Sequence, residues 1–184
     1  RLGTAVESEF ALAGLTLAEA ALGRKGYEES VEVLSRSVAE LGQQNRPALE
    51  ADALNYLAEA QLGAGQVIEA EAVLDRIRTL AESANSVTLM VLRINEARVA
   101  SRHDQFDEAV VILAAVLEDA RAQSVFGVEL EARLALAEIA MEAGNPQEAR
   151  RILGDVSQEA TSRGWNLVAD RASVLMGRLE SGEI

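Results

Sequence analysis

Small and apolar residues recur along this sequence with a period of about forty residues. An acidic residue followed by a small one marks each period, at steps of 40, 39 and 40. A leucine lies four positions after each small residue, and another small residue lies twelve positions before it. Apolar positions spaced three and four apart within these segments predict α-helices. The four marks are Glu29-Ser30, Glu69-Ala70, Glu108-Ala109 and Glu148-Ala149.

Each period is predicted to contain two helices separated by a short break. In the fourth unit Gly144 can end the first helix in a left-handed conformation. Asn145 then caps the second helix, Pro146 takes its first position, and Glu148 completes a capping box. The register predicts nine helices and no sheet in one domain spanning 1–184. The units fall at about 6–45, 46–85, 86–124 and 125–163, with a capping helix at 164–184.

The spacing of small and bulky residues resembles that of the tetratricopeptide repeat family. Leu57-Ala58 followed by Ala70 and Leu74 fits its pattern, as does Leu136-Ala137 followed by Ala149 and Leu153. The resemblance implies an all-α fold, an α-α superhelix of four helix-hairpin units with a C-terminal capping helix. It also implies a concave groove lined by the first helix of each unit, which binds proteins or peptides. The unit is longer than the family's usual length of about 34 residues, as in variants found in bacterial regulators and signalling kinases.

The composition of the sequence argues against several classes of function. The net charge of −13 leaves no basic face for phosphate groups, so nucleic-acid binding is not expected. The sequence has no cysteine, which excludes disulfides and thiolate chemistry. Its longest strongly apolar run, 109–117, is too short to cross a bilayer, so no membrane insertion is expected. We expect a cytoplasmic protein that needs no cofactor or metal and has no catalytic residue.

The register assigns a set of side chains to the groove face of the first helices. Arg98 and Arg102 lie four apart and form its cationic centre, flanked by carboxylates on the neighbouring units. Two roles remain open for these arginines: pairing with those carboxylates, or holding an acidic group of a bound peptide. The charged and polar groove positions are Asp52, Asn55, Glu59, Arg98, Arg102, Glu131, Glu138 and Glu142. The register adds the apolar positions Val91, Ile94, Leu134 and Met141.

Other candidate sites have simpler structural interpretations. His103 with Asp104, Asp107 and Glu108 suggests a metal site, but acidic residues at a helix start are more often caps. Trp165 precedes the last helix and is expected to staple that helix to the unit before it, rather than to contact a ligand.

Two apolar surfaces are expected outside the groove. Ala114 and Ala115 take positions that carry polar residues in other units, and Val111 lies one turn earlier. The three form either a harmless surface or an outer contact patch. Arg76 takes such an outer position and is not expected to take part in partner binding. In the first helix Leu12, Leu15 and Leu22 face away from Val6, Phe10 and Leu17, so one side needs another unit or a second copy of the chain. In the last helix Leu175, Met176 and Leu179 should cover unit four, while Asp170, Arg171 and Arg178 face solvent.

The function indicated is a non-enzymatic interaction module or scaffold that binds a protein or peptide. The alternative is a ligand-sensing regulatory domain of a bacterial transcription regulator or signalling kinase. An enclosed pocket would favour the sensor, because small ligands bind in concave, mostly enclosed sites. An open groove would favour the scaffold.

Overall fold

The computed structural model describes residues 2–182, and among these the side chains of residue 10 and residues 12–182. The described residues form nine α-helices and one short 3-10 helix, without a strand. This confirms the predicted all-α class and the nine predicted helices. The helices are α1 (Leu2–Ala21), α2 (Tyr27–Gln43), α3 (Pro47–Gly63), α4 (Val67–Thr79), α5 (Ser86–Arg102), α6 (Phe106–Ala122), α7 (Phe126–Glu142), α8 (Pro146–Ser162) and α9 (Asn166–Ser181).

A uniform helix length explains the period of the sequence. Six helices, α2, α3 and α5 to α8, have 17 residues each, and a three-residue turn follows every one of them. The N–H of the third turn residue closes each turn. For example, Asn145 donates to the Ala140 carbonyl at 2.8 Å. Equivalent residues of successive units therefore lie forty apart. The middle residue of each turn has a positive φ between 52° and 78°, at Asn45, Gly65, Asp104, Ser124, Gly144 and Gly164.

The end of α4 departs from this pattern. The sequence predicts this helix to about Ala81, but it ends at Thr79 and a 3-10 helix follows at Ala81–Ser83. The chain then extends at Ala84 (φ −81°, ψ 145°), and the Asn85 side chain accepts from the Thr88 N–H at 3.0 Å. No left-handed residue makes this turn. This is the junction where the sequence period shortens to 39.

The described chain forms two compact units, whose boundary falls inside α5 between Asn95 and Glu96. In the first unit, Leu17 of α1 shares an apolar cluster with Leu34 and Leu57. Leu12 and Leu15 lie on the other side of α1 and are 55% and 64% exposed, as the pattern predicts. Val6 lies outside the residues whose side chains are described.

The second compact unit has its core between α7, α8 and α9. Leu134 and Leu153 are fully buried in it, and Leu179 of α9 is 7% exposed. Leu175 and Met176 pack against the same cluster, so α9 covers the preceding helix pair as expected. The small residues at the marked positions are fully buried, which permits the close approach of paired helices.

The turn between the two helices of the fourth repeat, 125–163, shows some of the predicted features. Gly144 has φ 71°, Pro146 begins α8, and the Asn145 side chain accepts from the Glu148 N–H at 3.4 Å. The predicted capping box is not formed, because the Glu148 carboxylate binds Arg151 at 2.6 Å and the Asn145 N–H donates to the Ala140 carbonyl instead.

Candidate functional site

In the first compact unit, two of the three predicted groove residues of α3 are bound by residues of α5. The buried Asn55 donates from Nδ2 to the Thr88 carbonyl at 3.0 Å, and Asn95 donates to the Asn55 carbonyl at 3.1 Å. The Thr88 hydroxyl donates to Asp52 at 2.5 Å. Asn55 is only 3% exposed. These polar groups therefore join two first helices, and only the half-buried Asp52 and Glu59 lie near the surface.

In the second unit, ion pairs join equivalent positions of neighbouring first helices. Arg98 of α5 donates from Nε to Glu138 of α7 at 2.9 Å. Their side chains are 11% and 26% exposed. One turn further along, Arg102 binds Glu142 at 3.2 Å, and this arginine is 44% exposed. The Ser101 hydroxyl also donates to Glu142. Arg102 is thus the accessible cation of this face.

A third pair extends the row to the last helix. Arg171 of α9 donates to both carboxylate oxygens of Glu131, at 2.7 and 2.9 Å. The prediction that Arg171 faces solvent is wrong, because its side chain is only 12% exposed. The sequence does contain the signal, since Arg171 lies forty residues after Glu131. We call the surface formed by Arg98, Arg102, Glu131, Glu138, Glu142 and Arg171 the first-helix face.

The arginines of this face control the ionisation of Glu138. Burial alone would raise the pKa of this carboxyl. The positive charges of Arg98, Arg171 and Arg102, together with the hydrogen bond from Arg98, outweigh burial and hold its pKa below the ordinary value. Glu138 is therefore a carboxylate at neutral pH.

Three apolar positions assigned to the groove lie in the protein interior instead. Ile94, Leu134 and Met141 are 1%, 0% and 6% exposed. Leu134 and Met141 belong to the cluster that α8 and α9 cover. Placing them on an open face was wrong, because the neighbouring helices pack over these positions. Val91 is half-buried.

A concave surface lies on the side of α7 opposite the first-helix face. At about 3.6 residues per turn, Glu131, Glu138 and Glu142 share one side of this helix, while Leu136 and Ala140 lie on the other. There α6, α7 and α8 enclose a cleft of about 740 Å³. The sequence did not indicate this cleft, because its volume depends on the separation of two helices that are not consecutive.

The predicted outer patch lies beside this cleft on α6. Val111 is 69% exposed, Ala114 is exposed and Ala115 is half-buried. The neighbouring Val110 is 46% exposed and lines the cleft itself.

The remaining candidates have structural roles. The Trp165 ring packs edge-on to Phe126 at 5.7 Å and lies over Gly127, where an added Cβ would come within 2.7 Å of it. It thereby connects the start of α9 to α7, as predicted. Asp104 does not cap α6 but makes the turn before it, and no side chain in the described part of the chain caps α6. Among the described residues, no group of three His, Asp or Glu side chains is placed to hold a metal ion.

Comparison with known proteins agrees with this geometry. Residues 103–170 match the tetratricopeptide repeat family. One similar solved structure is that of a Podosopora anserina protein named as a putative kinesin light chain with nearly identical TPR-like repeats. It has a TM-score of 0.56 and 22% identity, and the match covers 96% of this chain and 93% of that chain. A second crystal structure, of a single-substitution variant bearing the same description, has a TM-score of 0.57 and 22% identity, over 98% and 95% of the two chains. No curated protein sequence gives a significant match.

The chain therefore contains TPR-like helical repeats and has the all-α fold of that class. This fold is generally a non-enzymatic scaffold for protein–protein interaction. None of the described helices combines the length and apolar character needed to cross a membrane.

Proposed function

We propose that this chain is a non-enzymatic interaction module that binds a protein or peptide segment on its first-helix face. The observation that carries the proposal is the Arg102–Glu142 ion pair, which is exposed at the surface while the adjacent Arg98–Glu138 pair is mostly buried. The face thus combines a fixed inner pair with an outer pair that a ligand can reach.

We expect a ligand to bind by replacing Glu142 as the partner of Arg102 in the outer pair. Exposed ion pairs stabilise a fold by about 1 kcal/mol or less, so opening one costs little. The Arg102 guanidinium can then receive an acidic side chain or a C-terminal carboxylate with two parallel hydrogen bonds. The released Glu142 is available to a basic group of the same ligand.

The surrounding carboxylates restrict the kind of segment that fits. Glu131, Glu138 and Glu142 lie on this face beside the arginines. A purely acidic segment is repelled by them, so we expect a ligand in which acidic and basic residues alternate. The overall charge of −13 favours the same kind of partner.

The test compares two arginine variants against a partner captured from cell extract. Arg102→Ala should weaken its binding by about tenfold or more, on the order of 1.4 kcal/mol. The matched control is Arg150→Ala on α8, an exposed arginine that makes no ion pair with the described residues. Equal affinity of both variants would place the binding surface elsewhere.

A further inference from the structure

The cleft between α6 and α8 has an apolar interior. Leu136, Ile139 and Ala140 of α7 line it, together with Val110 of α6 and Ile152 of α8. Val110 is 46% exposed, while Ile139 and Ile152 are 2% and 9% exposed. An exposed valine beside a cavity of about 740 Å³ leaves apolar surface that an incoming side chain can cover.

The polar rim of the cleft is largely satisfied by its own ion pairs. Arg121 binds Glu129 at 2.8 Å, and Arg133 binds Glu159 at 2.6 Å. Arg151 lies between Glu148 and Asp155, at 2.6 and 3.1 Å. These arginines are therefore already neutralised, and an acidic ligand would have to displace their partners.

The charge that remains is negative, because Glu148 and Asp155 share Arg151 and because Asp107 binds no arginine among the described residues. Five carboxylates and three arginines line the cleft, and Asp107 is the carboxylate outside the three sets of ion pairs. Asp104 and Glu108 flank it at the start of α6, where the turn forms a further recess of about 340 Å³. Their side chains are exposed and make no ion pair within the described part of the chain. A cationic group is the complement of these carboxylates.

We propose that the cleft binds an amphipathic basic peptide segment of a partner protein. Two apolar side chains of the segment, one helical turn apart, enter between Val110 and Leu136, and a lysine or arginine beyond them lies against Asp107. Val111 and Ala114 lie on α6 outside the residues that line the cleft, so the segment leaves them uncovered.

A second copy of the chain is a poor occupant. Each copy carries a net charge of −13, so the acidic side chains of one cleft would meet an acidic surface. A basic segment instead gains both apolar burial and charge attraction. This second binding surface lies on the side of α7 opposite the first-helix face, and it does not rest on the function proposed above.

The experiment uses the whole chain and a synthetic fluorescent peptide whose leucines form one side of a helix and whose lysines form the other. Binding is followed by anisotropy at two salt concentrations. Val110→Asn, which puts an uncharged polar group among the apolar side chains, should weaken binding by about tenfold or more, while Val111→Asn, the same change one residue along, should alter it less than about twofold. Asp107→Asn should weaken binding and reduce its salt dependence. Asp170→Asn, at an exposed position on α9, should do neither.

Three results would overturn the proposal. They are equal losses for the two valine variants, equal binding of a scrambled peptide of the same composition, and unchanged binding by Asp107→Asn. Melting curves of each variant exclude unfolding as the cause, and Leu136→Ser provides a second change inside the cleft. Arg102→Ala should bind this peptide like the wild type, which separates this site from the first-helix face. A peptide with glutamate in place of lysine should not bind.

Discussion

Arg98 and Glu138 stand forty residues apart in the sequence and 2.9 Å apart in space. The distance in sequence equals the repeat length, so the two residues hold the same position on successive first helices. Arg171 and Glu131 have the same relationship, with the arginine on the later helix. Opposite charges at equivalent positions therefore join neighbouring repeats in a fixed register.

Removing the arginine of the inner pair should destabilise the fold. Arg98→Ala leaves the partly buried Glu138 carboxylate without its closest counter-ion, and we expect a loss of about 1–3 kcal/mol in urea denaturation. Arg102→Ala opens a more exposed pair and should cost about 1 kcal/mol or less. If both variants unfold at the same urea concentration, the inner pair contributes no more than the outer one.

The inner pair should also make stability depend on pH. The pKa of Glu138 is held below its ordinary value of 4.5 in the folded chain. The unfolded chain therefore takes up this proton at a higher pH than the folded chain does. The stabilisation is complete above about pH 4.5 and is lost as the pH falls through the lower, folded pKa.

The measurement is the urea midpoint between neutral pH and the acid range. Glu138→Gln should be less stable than the wild type at neutral pH, and its stability should fall less steeply below about pH 4.5. Glu118→Gln, on the exposed side of α6 and outside any ion pair of the described residues, should follow the wild-type curve. Parallel curves for wild type and Glu138→Gln would contradict this account.

The helices could be predicted because local chemistry determines them. The period of small residues, the positive φ of Gly144 and the proline at the start of α8 each have a direct sequence signal. The sequence predicts the end of α4 less accurately. Its 3-10 turn contains no glycine and no residue with positive φ to mark the last helical residue.

The binding surfaces were harder to predict, because helix periodicity gives the direction of a side chain but not what covers it. The periodicity places both Arg98 and Leu134 on the groove face, yet Arg98 is in an ion pair and Leu134 is in the core. The pattern of α9 predicts that Arg171 faces solvent, although its spacing from Glu131 matches the repeat. Comparing charges at intervals of forty residues would have found this pair.

A single hydroxyl in the first unit should reduce stability. Ser30 takes the position held by Ala70, Ala109 and Ala149 elsewhere, and all four residues are 0% exposed. The Ser30 Oγ has no hydrogen-bond partner among the described residues. Ser30→Ala removes this buried polar atom and restores a better helix former, so it should stabilise the chain by about 1 kcal/mol.

The matched control for this prediction is another buried serine of α2. Ser37 donates its hydroxyl to the Val33 carbonyl at 3.2 Å, so Ser37→Ala loses a hydrogen bond and should give no comparable gain. Thermal melting of the two variants provides the comparison. An unchanged or lower melting temperature for Ser30→Ala would show that its hydroxyl is satisfied in solution.

Arg76 should stabilise the first compact unit, although the sequence places it on an outer surface. Its guanidinium donates from Nε and Nη2 to one oxygen of Glu50, at 3.1 and 3.0 Å. The Glu50 side chain is 8% exposed, so Arg76→Ala leaves a carboxylate buried and unneutralised. We expect a loss of about 1–3 kcal/mol in urea denaturation, while Arg150→Ala on α8 should change stability little. Adding Glu50→Gln to Arg76→Ala should recover part of the loss, because the buried group is then neutral. A double variant less stable than Arg76→Ala alone would show that the arginine acts through packing of its side chain rather than through the charge of Glu50.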